Sequence, residues 1–328
     1  MSKFKSLVAA IAIAMVGVPG VVEAATKMRC SHQLPPAHHV AQVIERWAEE
    51  VRTASEGELD VQVFGSDSLV KANQNITAVA KGDIECAFSL NFQWGRTLPI
   101  MNVTVAPFAF GDLEIWRKWP DSEAAKFLEE KLLEKGVRNI AWLFQTNTSV
   151  FTSKGRFLVK PEDFKGVKLR GLNAAFDAAL AALGATPTSL PGSEVYQALA
   201  TGVLDAGLTD VAAAVSRKYY EVQDHFTVVP VISAYLHGYV NPKWYDGLSD
   251  KSKAALESAG KKAALWAVEA SEKAGAAAPD QLREKGVKVH IATPEEIKAL
   301  EAIMRPAFDE KFATDPDAQK LIELIGKI

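Results

Sequence analysis

One arginine stands where a strand hands over to a helix. In VKLRGLN, Val167 and Leu169 alternate with Lys168 and Arg170, the two-residue period of a strand. Gly171 turns the chain, and Asn173 is placed to cap a helix over residues 174–183 that Gly184 stops. Arg170 thereby falls at the carboxyl end of a strand, beside a helix amino terminus, the edge at which open α/β sheets take ligands. Its planar two-pronged donor, next to free helix amides, fits a carboxylate. The same arginine could instead pair with a carboxylate of a neighbouring strand, and these residues alone leave both readings open.

Other chemistries are poorly supported. His32, His38 and His39, with His225, His237 or His290, match no zinc spacing, so no metal and no cofactor is expected. Glu194, Asp205 and Asp210 have the type of general acids or bases, but no nucleophile motif accompanies them, and neither G-x-S-x-G nor a glycine-rich phosphate loop occurs. No catalytic residue is assigned. Glu194 reads as a capping residue for a helix starting near Ser193, and Asp205 as a turn or strand-edge residue.

The elements that must position Arg170 repeat in strand–helix order. Strands are expected over 26–32, 59–64, 83–89, 137–144 and 287–291. Helical spacing runs through Val40, Val43, Ile44, Trp47 and Val51, and a further helix is expected over 72–80. This alternation gives an α/β fold of mostly parallel sheets flanked by helices. AVAKGDIECAFS at 78–89 echoes ALATGVLDAGLT at 198–209, each a helix end, a glycine stop, an acid and a strand closing on a hydroxyl residue. Two lobes of similar build would show this, with the strands ending at Phe88-Ser89 and Leu208-Thr209 facing one cleft. Residues 249–278, rich in Ala, Lys and Glu without proline, predict one long helix ending at Pro279. Thr293-Pro294-Glu295-Glu296 opens another.

With 328 residues and 48% hydrophobic content the chain can bury two cores. Its formal net charge of −3 leaves no electrostatic footprint for nucleic acid. Lys3 and Lys5 precede an apolar run from Leu7 to Val22, and Val22-Glu23-Ala24 fits a small-x-small cleavage site. This pattern predicts a secretory signal peptide over 1–24 and a periplasmic protein. Gly17, Pro19 and Gly20 argue against a retained anchor. The two cysteines, Cys30 and Cys86, fall in expected strands. A disulfide is geometrically conceivable if those strands are neighbours, and two buried thiols are the plainer reading.

The segment KGVKLRGLNAAFDAALAALGATPTSLPGSEVYQALATGVLDAG closely resembles the signature region of periplasmic solute-binding proteins of TRAP transporters, the DctP family. That form is a KG-[LI]-K-[LI]-R turn, then LGA-x-P, then EVY-x-AL-x-TG-x-[LV]-D-G. The likeness extends, more weakly, through LPPAHHVAQ, ITAVAKGDIECAFS and the APFAF segment. The resemblance implies a two-lobed binding protein with a long lobe-spanning helix, its ligand cleft between a first lobe of 25–147 plus 235–274 and a second of 148–234 plus 275–328. It also implies a receptor, not an enzyme, that binds an organic acid through Arg170 and hands it to TRAP membrane subunits. A monomer is expected. An ABC-transporter receptor, or a periplasmic lyase or hydrolase acting on a carboxylate, is the alternative.

Carried over position by position, the family pattern adds Asn173 and Thr209 to Arg170. Ser149 stands where sialic-acid binders of the family have a second arginine, and Phe88 and Asn91 stand where they have acidic and basic residues. His32 and Trp94, each at a strand end, complete the expected ligand-facing set. One assigned arginine and two aromatic residues predict a monocarboxylate with an apolar or aromatic body, such as a 2-oxo or 2-hydroxy acid.

Overall fold

The computed structural model describes residues 24–328, so the expected signal peptide lies outside the described residues but for Ala24. Among the described residues, eleven strands are interspersed with helices: β1 (Thr26–Ser31), β2 (Leu59–Phe64), β3 (Cys86–Leu90), β4 (Arg138–Thr146), β5 (Ser149–Ser153), β6 (Lys168–Gly171), β7 (Thr186–Ser189), β8 (Gly207–Asp210), β9 (His225–Val229), β10 (Ala234–Val240) and β11 (Lys288–Ile291). They form two main sheets. The first has the order β2-β1-β3-β10-β4 and the second β11-β9-β5-β8. The pair β6-β7 extends the second sheet, because Leu169 bridges Ala206 just before β8 and the Arg170 amide donates to the Ala206 carbonyl at 3.0 Å.

The sheets are mixed. In the first, β10 runs antiparallel to both β3 and β4; in the second, β5 runs antiparallel to both β8 and β9. The cause is the way the chain changes lobe. β4 ends at Thr146 and β5 begins at Ser149; β9 ends at Val229 and β10 begins at Ala234. Each passage leaves one sheet at the end of a strand and enters the other at the edge where that sheet's strands end, with Ser149 opposite Asp210 and Ala234 opposite Thr146, so each lobe receives one strand running against its neighbours.

The third passage is the helix Asp250–Glu284, which packs on the helix His39–Ala54 and β4 and then on the helix Val211–Ser216 and β11. Its buried stripe is mostly small residues, Ser252, Ala255, Ala259, Gly260, Ala263 and Ala267 among them, with Leu256, Val268 and Leu282 between. A β-carbon on Gly260 would stand 2.1 Å from the Ile140 carbonyl oxygen, so the helix rests directly on β4 there. The helix also outruns its expected end. It passes through Pro279, whose ring frees the carbonyl of Gly275; Gly275 is not buried, and water can take that carbonyl.

The tail divides between the lobes. The helix Pro294–Asp309 packs on the helix Ala174–Ala182 of the second lobe. The helix Pro316–Ile325 returns to the first lobe against the helix Glu123–Glu134, where Lys131 meets Asp317 at 2.7 Å. The expectation that residues through 328 stay with the second lobe is therefore corrected. Leu321 and Ile325, both buried, carry that packing.

Cys30 and Cys86 stand opposite each other in the parallel pair β1-β3, both buried and both free thiols. Burial, then the neighbouring Cys86 thiol, pushes the Cys30 thiol well above its ordinary range.

Candidate functional site

The carboxyl ends of β6 and β8 meet the first lobe across a small cavity of about 20 Å³, the room of roughly one water. Arg170 is 3% exposed and lies at the heart of this contact. Its Nε and Nη2 donate to the Leu190 carbonyl at 3.2 and 3.1 Å, and its Nη1 donates to the Leu208 carbonyl at 2.6 Å. Its guanidinium sits 5.7 Å from the centre of the Phe92 ring, which the first lobe supplies. Burial lowers its pKa to about 10, so it remains charged at neutral pH. Of its five N–H groups, one on Nη1 and one on Nη2 have no partner among the described residues, and it forms no ion pair there. Two free charged donors of this kind are chemically suited to a carboxylate.

Thr209 lines the same cavity. Asn173 caps its helix as expected, its Oδ1 accepting from the Phe176 amide at 2.9 Å, and its Nδ2 is buried without a partner. It stands beside the cavity rather than among its lining residues.

The other residues assigned from sequence are engaged elsewhere. Phe88 lies in the core of the first lobe, its ring edge-on to Trp47 at 5.1 Å and over Gly238, where a β-carbon would come within 2.5 Å of it. Trp94 is fully buried against His237 and Tyr239 at 5.0 and 5.1 Å. Neither forms an aromatic wall for a ligand; β3 is buried on both faces, so strand alternation cannot reveal which side meets the cleft. Ser149 joins the two crossing strands instead: its Oγ donates to the Val229 carbonyl at 2.6 Å and accepts from the amides of Val231 and Ile232. Asn91 is fully buried and donates to Thr104 Oγ1 at 3.0 Å. His32 Nδ1 accepts from the Leu34 amide, and burial holds its pKa down at about 4.

Residues not assigned to the ligand from sequence line this cavity or tie the lobes together around it. Arg217, just past the short helix Val211–Ser216, lines the cavity with Arg170. Asp210 lies between Gln145 Nε2, at 3.2 Å, and His38 Nε2, at 3.5 Å. His38 Nδ1 accepts from the Val40 amide, so its proton sits on Nε2, facing Asp210. Burial lowers the His38 pKa to about 4 and leaves it neutral. Burial opposes the charge on Asp210, but His38, His39 and the Ala212 amide together outweigh it and keep the carboxyl below its ordinary range. Gln33 Oε1 accepts from the Gly192 amide at 2.9 Å, and Ser193 donates to Asp67 at 2.6 Å. These bonds tie loops after β1 and β2 to the amino terminus of the helix Gly192–Ala200. No sequence period marks any of them, because each pair comes together only where the two lobes meet.

His38, His39 and Asp210 have ligand-type atoms within 4.8 Å of one another. The two imidazoles are stacked 4.4 Å apart at 22°, and His39 Nε2 already contacts the Gln145 carbonyl and Ser271 Oγ at 3.1 Å each. Near-parallel rings do not aim their lone pairs at one point. The geometry suits a hydrogen-bond chain between the lobes better than a metal centre.

Two α/β lobes, three connecting passages and a buried unpaired arginine between them define a ligand receptor of the two-lobed binding-protein class. The chain belongs to the DctP family, described as bacterial extracellular solute-binding protein, family 7, whose model matches residues 30–315. It is 29% identical over 316 residues to the C4-dicarboxylate-binding periplasmic protein DctP of Rhodobacter capsulatus, covering 93% of this chain and 92% of that one. It is 26% identical over 294 residues to the 2,3-diketo-L-gulonate-binding periplasmic protein YiaO of Escherichia coli, covering 89% and 88%. A solved TRAP periplasmic solute-binding protein of Roseobacter denitrificans, with bound β-D-glucuronate, superposes with a TM-score of 0.84 at 26% identity, over 92% of this chain and 99% of that one. The protein is thus a solute receptor of the TRAP type rather than an enzyme, and an extracytoplasmic one. No helix among the described residues is long and apolar enough to cross a membrane.

Proposed function

We propose that this receptor seats the carboxylate of an organic acid on Arg170, closes its lobes over it and delivers it, as a single chain, to the TRAP membrane subunits. The observation that carries the reading is the pair of unpartnered N–H groups on a guanidinium otherwise fixed by the Leu190 and Leu208 carbonyls. The relatives' names point the same way, since each binds an acid. Charge favours one carboxylate: Arg170 and Arg217 face a single cavity-lining acid, Asp210, while His38 is neutral. An apolar middle is supported by Leu90, Phe92 and Ile232, which replace Phe88 and Trp94 in that role.

A cavity of about 20 Å³ holds no organic acid, and ligand sites measure roughly 300–1,000 Å³. The lobes must therefore part at residues 147–148 and 230–233 and re-close around the guest. The test is native mass spectrometry of the copurified acid, followed by small-angle scattering of stripped and reloaded protein. A monomer mass and a radius that shrinks on reloading are expected. A profile unchanged by an acid of proven affinity sinks the closing-receptor reading.

A further inference from the structure

We infer that Arg217 is a second ligand-reading residue, which sets specificity for a neutral oxygen acceptor, hydroxyl or keto, on the body of the acid held by Arg170. This rests on the receptor reading above and adds to it a residue and a chemical preference.

Arg217 has few partners. Its guanidinium makes one long hydrogen bond, Nη2 to the Gln33 carbonyl at 3.3 Å, and it has no ion pair among the described residues. It is placed by packing: a β-carbon on Gly192 would stand 3.1 Å from its Nη2 and 3.2 Å from its Cζ, so the guanidinium lies against the bare backbone of Gly192. Gly192 and Arg217 line the same cavity as Arg170 and Thr209. A partly buried guanidinium with most of its N–H groups unmatched is short of acceptors, and a guest in that cavity is in place to supply one.

The acceptor is neutral because of Asp210. Its carboxylate lines the cavity and is one of the two acids, with Asp67, whose charge acts on Arg217. A second ligand carboxylate would face that anion in a site withdrawn from water, where like charges repel strongly. A hydroxyl or keto oxygen avoids the repulsion. A hydroxyl gains further, since Gln145 Oε1 is buried and lacks a donor among the described residues, and Gln145 also lines the cavity.

The experiment uses matched acids: valerate against 4-oxovalerate, phenylacetate against mandelate, and succinate as the dicarboxylate. Affinities are measured by calorimetry on ligand-stripped full-length mature protein, as wild type, Arg217→Met, Arg217→Lys and Arg170→Met. The wild type is expected to prefer the oxygenated member of at least one pair tenfold or more. Arg217→Met should bind both members of that pair alike, at the level of the unoxygenated acid, and Arg217→Lys should keep part of the preference. Arg170→Met should bind both members about a hundredfold more weakly. Arg217→Met that keeps the wild-type preference overturns the assignment while leaving the receptor reading intact. A wild type that binds succinate best and loses it in Arg217→Met overturns the neutral acceptor. If no panel acid binds the wild type, the assignment is overturned, whereas the receptor reading stands or falls on whether an acid copurifies. Unliganded melting temperatures of the two Arg217 variants separate misfolding from lost recognition.

Discussion

Replacing Arg170 by methionine isolates the contribution of its guanidinium. The side chain keeps its bulk and its apolar stem, and loses the two unpartnered N–H groups and the charge. Cutting one member of a buried charge pair costs about 2–5 kcal/mol of binding. The lower-middle part of that range is expected, because Arg217 lines the same cavity and still screens the stranded carboxylate. A loss of about 3 kcal/mol corresponds to roughly a hundredfold weaker binding. Arg170→Lys keeps the charge but replaces a fork with a point donor, so it should fall between methionine and wild type.

The unliganded protein gives the control. Arg170→Met leaves the Leu190 and Leu208 carbonyls without their side-chain donor, at about 1–3 kcal/mol for each stranded buried acceptor. Removing a desolvated cation offsets part of that, so the melting temperature of the stripped variant should drop by only a few degrees. The ligand-induced rise in melting temperature should shrink to a small part of the wild-type rise at the same acid concentration. Calorimetry with the acid that copurifies with wild type is the deciding assay. A variant binding it within threefold of wild type would falsify the assignment of Arg170 to the carboxylate.

Two further outcomes follow from packing and titration. Burial holds His32 and His38 at about 4 and His237 at about 3, against about 6.5 in an unfolded chain. The unfolded state then binds more protons between these values, so stability falls as pH drops from about 6.5 to 4, by up to about 3 kcal/mol for each histidine; a melting temperature flat across that window contradicts their neutral burial. Gly260→Ala adds a β-carbon that would stand 2.1 Å from the Ile140 carbonyl. Overpacking should cost about 1–3 kcal/mol and lower the melting temperature, although alanine is the better helix former by about 1 kcal/mol. A rise in melting temperature means that the helix does not rest on β4 there.

Local rules carried much of this fold. β2 falls on the residues expected, and β1, β11 and the helix over Ala174–Ala182 lie within a residue or so of expectation, because each is set by period and by a cap or a glycine nearby. Arg170 was legible for the same reason: strand, turn and cap are adjacent in sequence. What escaped was long-range. The antiparallel placement of β5 and β10 depends on passages between lobes, which look like ordinary loops in a linear reading. Phe88 belongs to a strand covered on both faces, so its parity carried no direction. Arg217 follows a six-residue alanine-rich helix with no motif around it, and Asp210, Gln145 and His38 meet only when β4, β8 and the loop after β1 come together.

Ser149 links these observations. Its hydroxyl fixes β5 to the passage leading into β10 through three backbone groups. Two of the three passages between lobes are thereby joined at one residue. A joined pair can bend as a unit, but its strands cannot slide past one another without breaking buried hydrogen bonds. The cavity lies against this junction: Ile232 and Ala234 come from one passage, Gln145 from the strand entering the other, and Thr209 from the strand paired with Ser149. A guest in the cavity therefore touches both lobes and the hinge together. If the lobes close around a guest as proposed, closure and ligand contact are one event, because Gln145 with Asp210 and Gln33 with Gly192 and Arg217 bridge the two lobes.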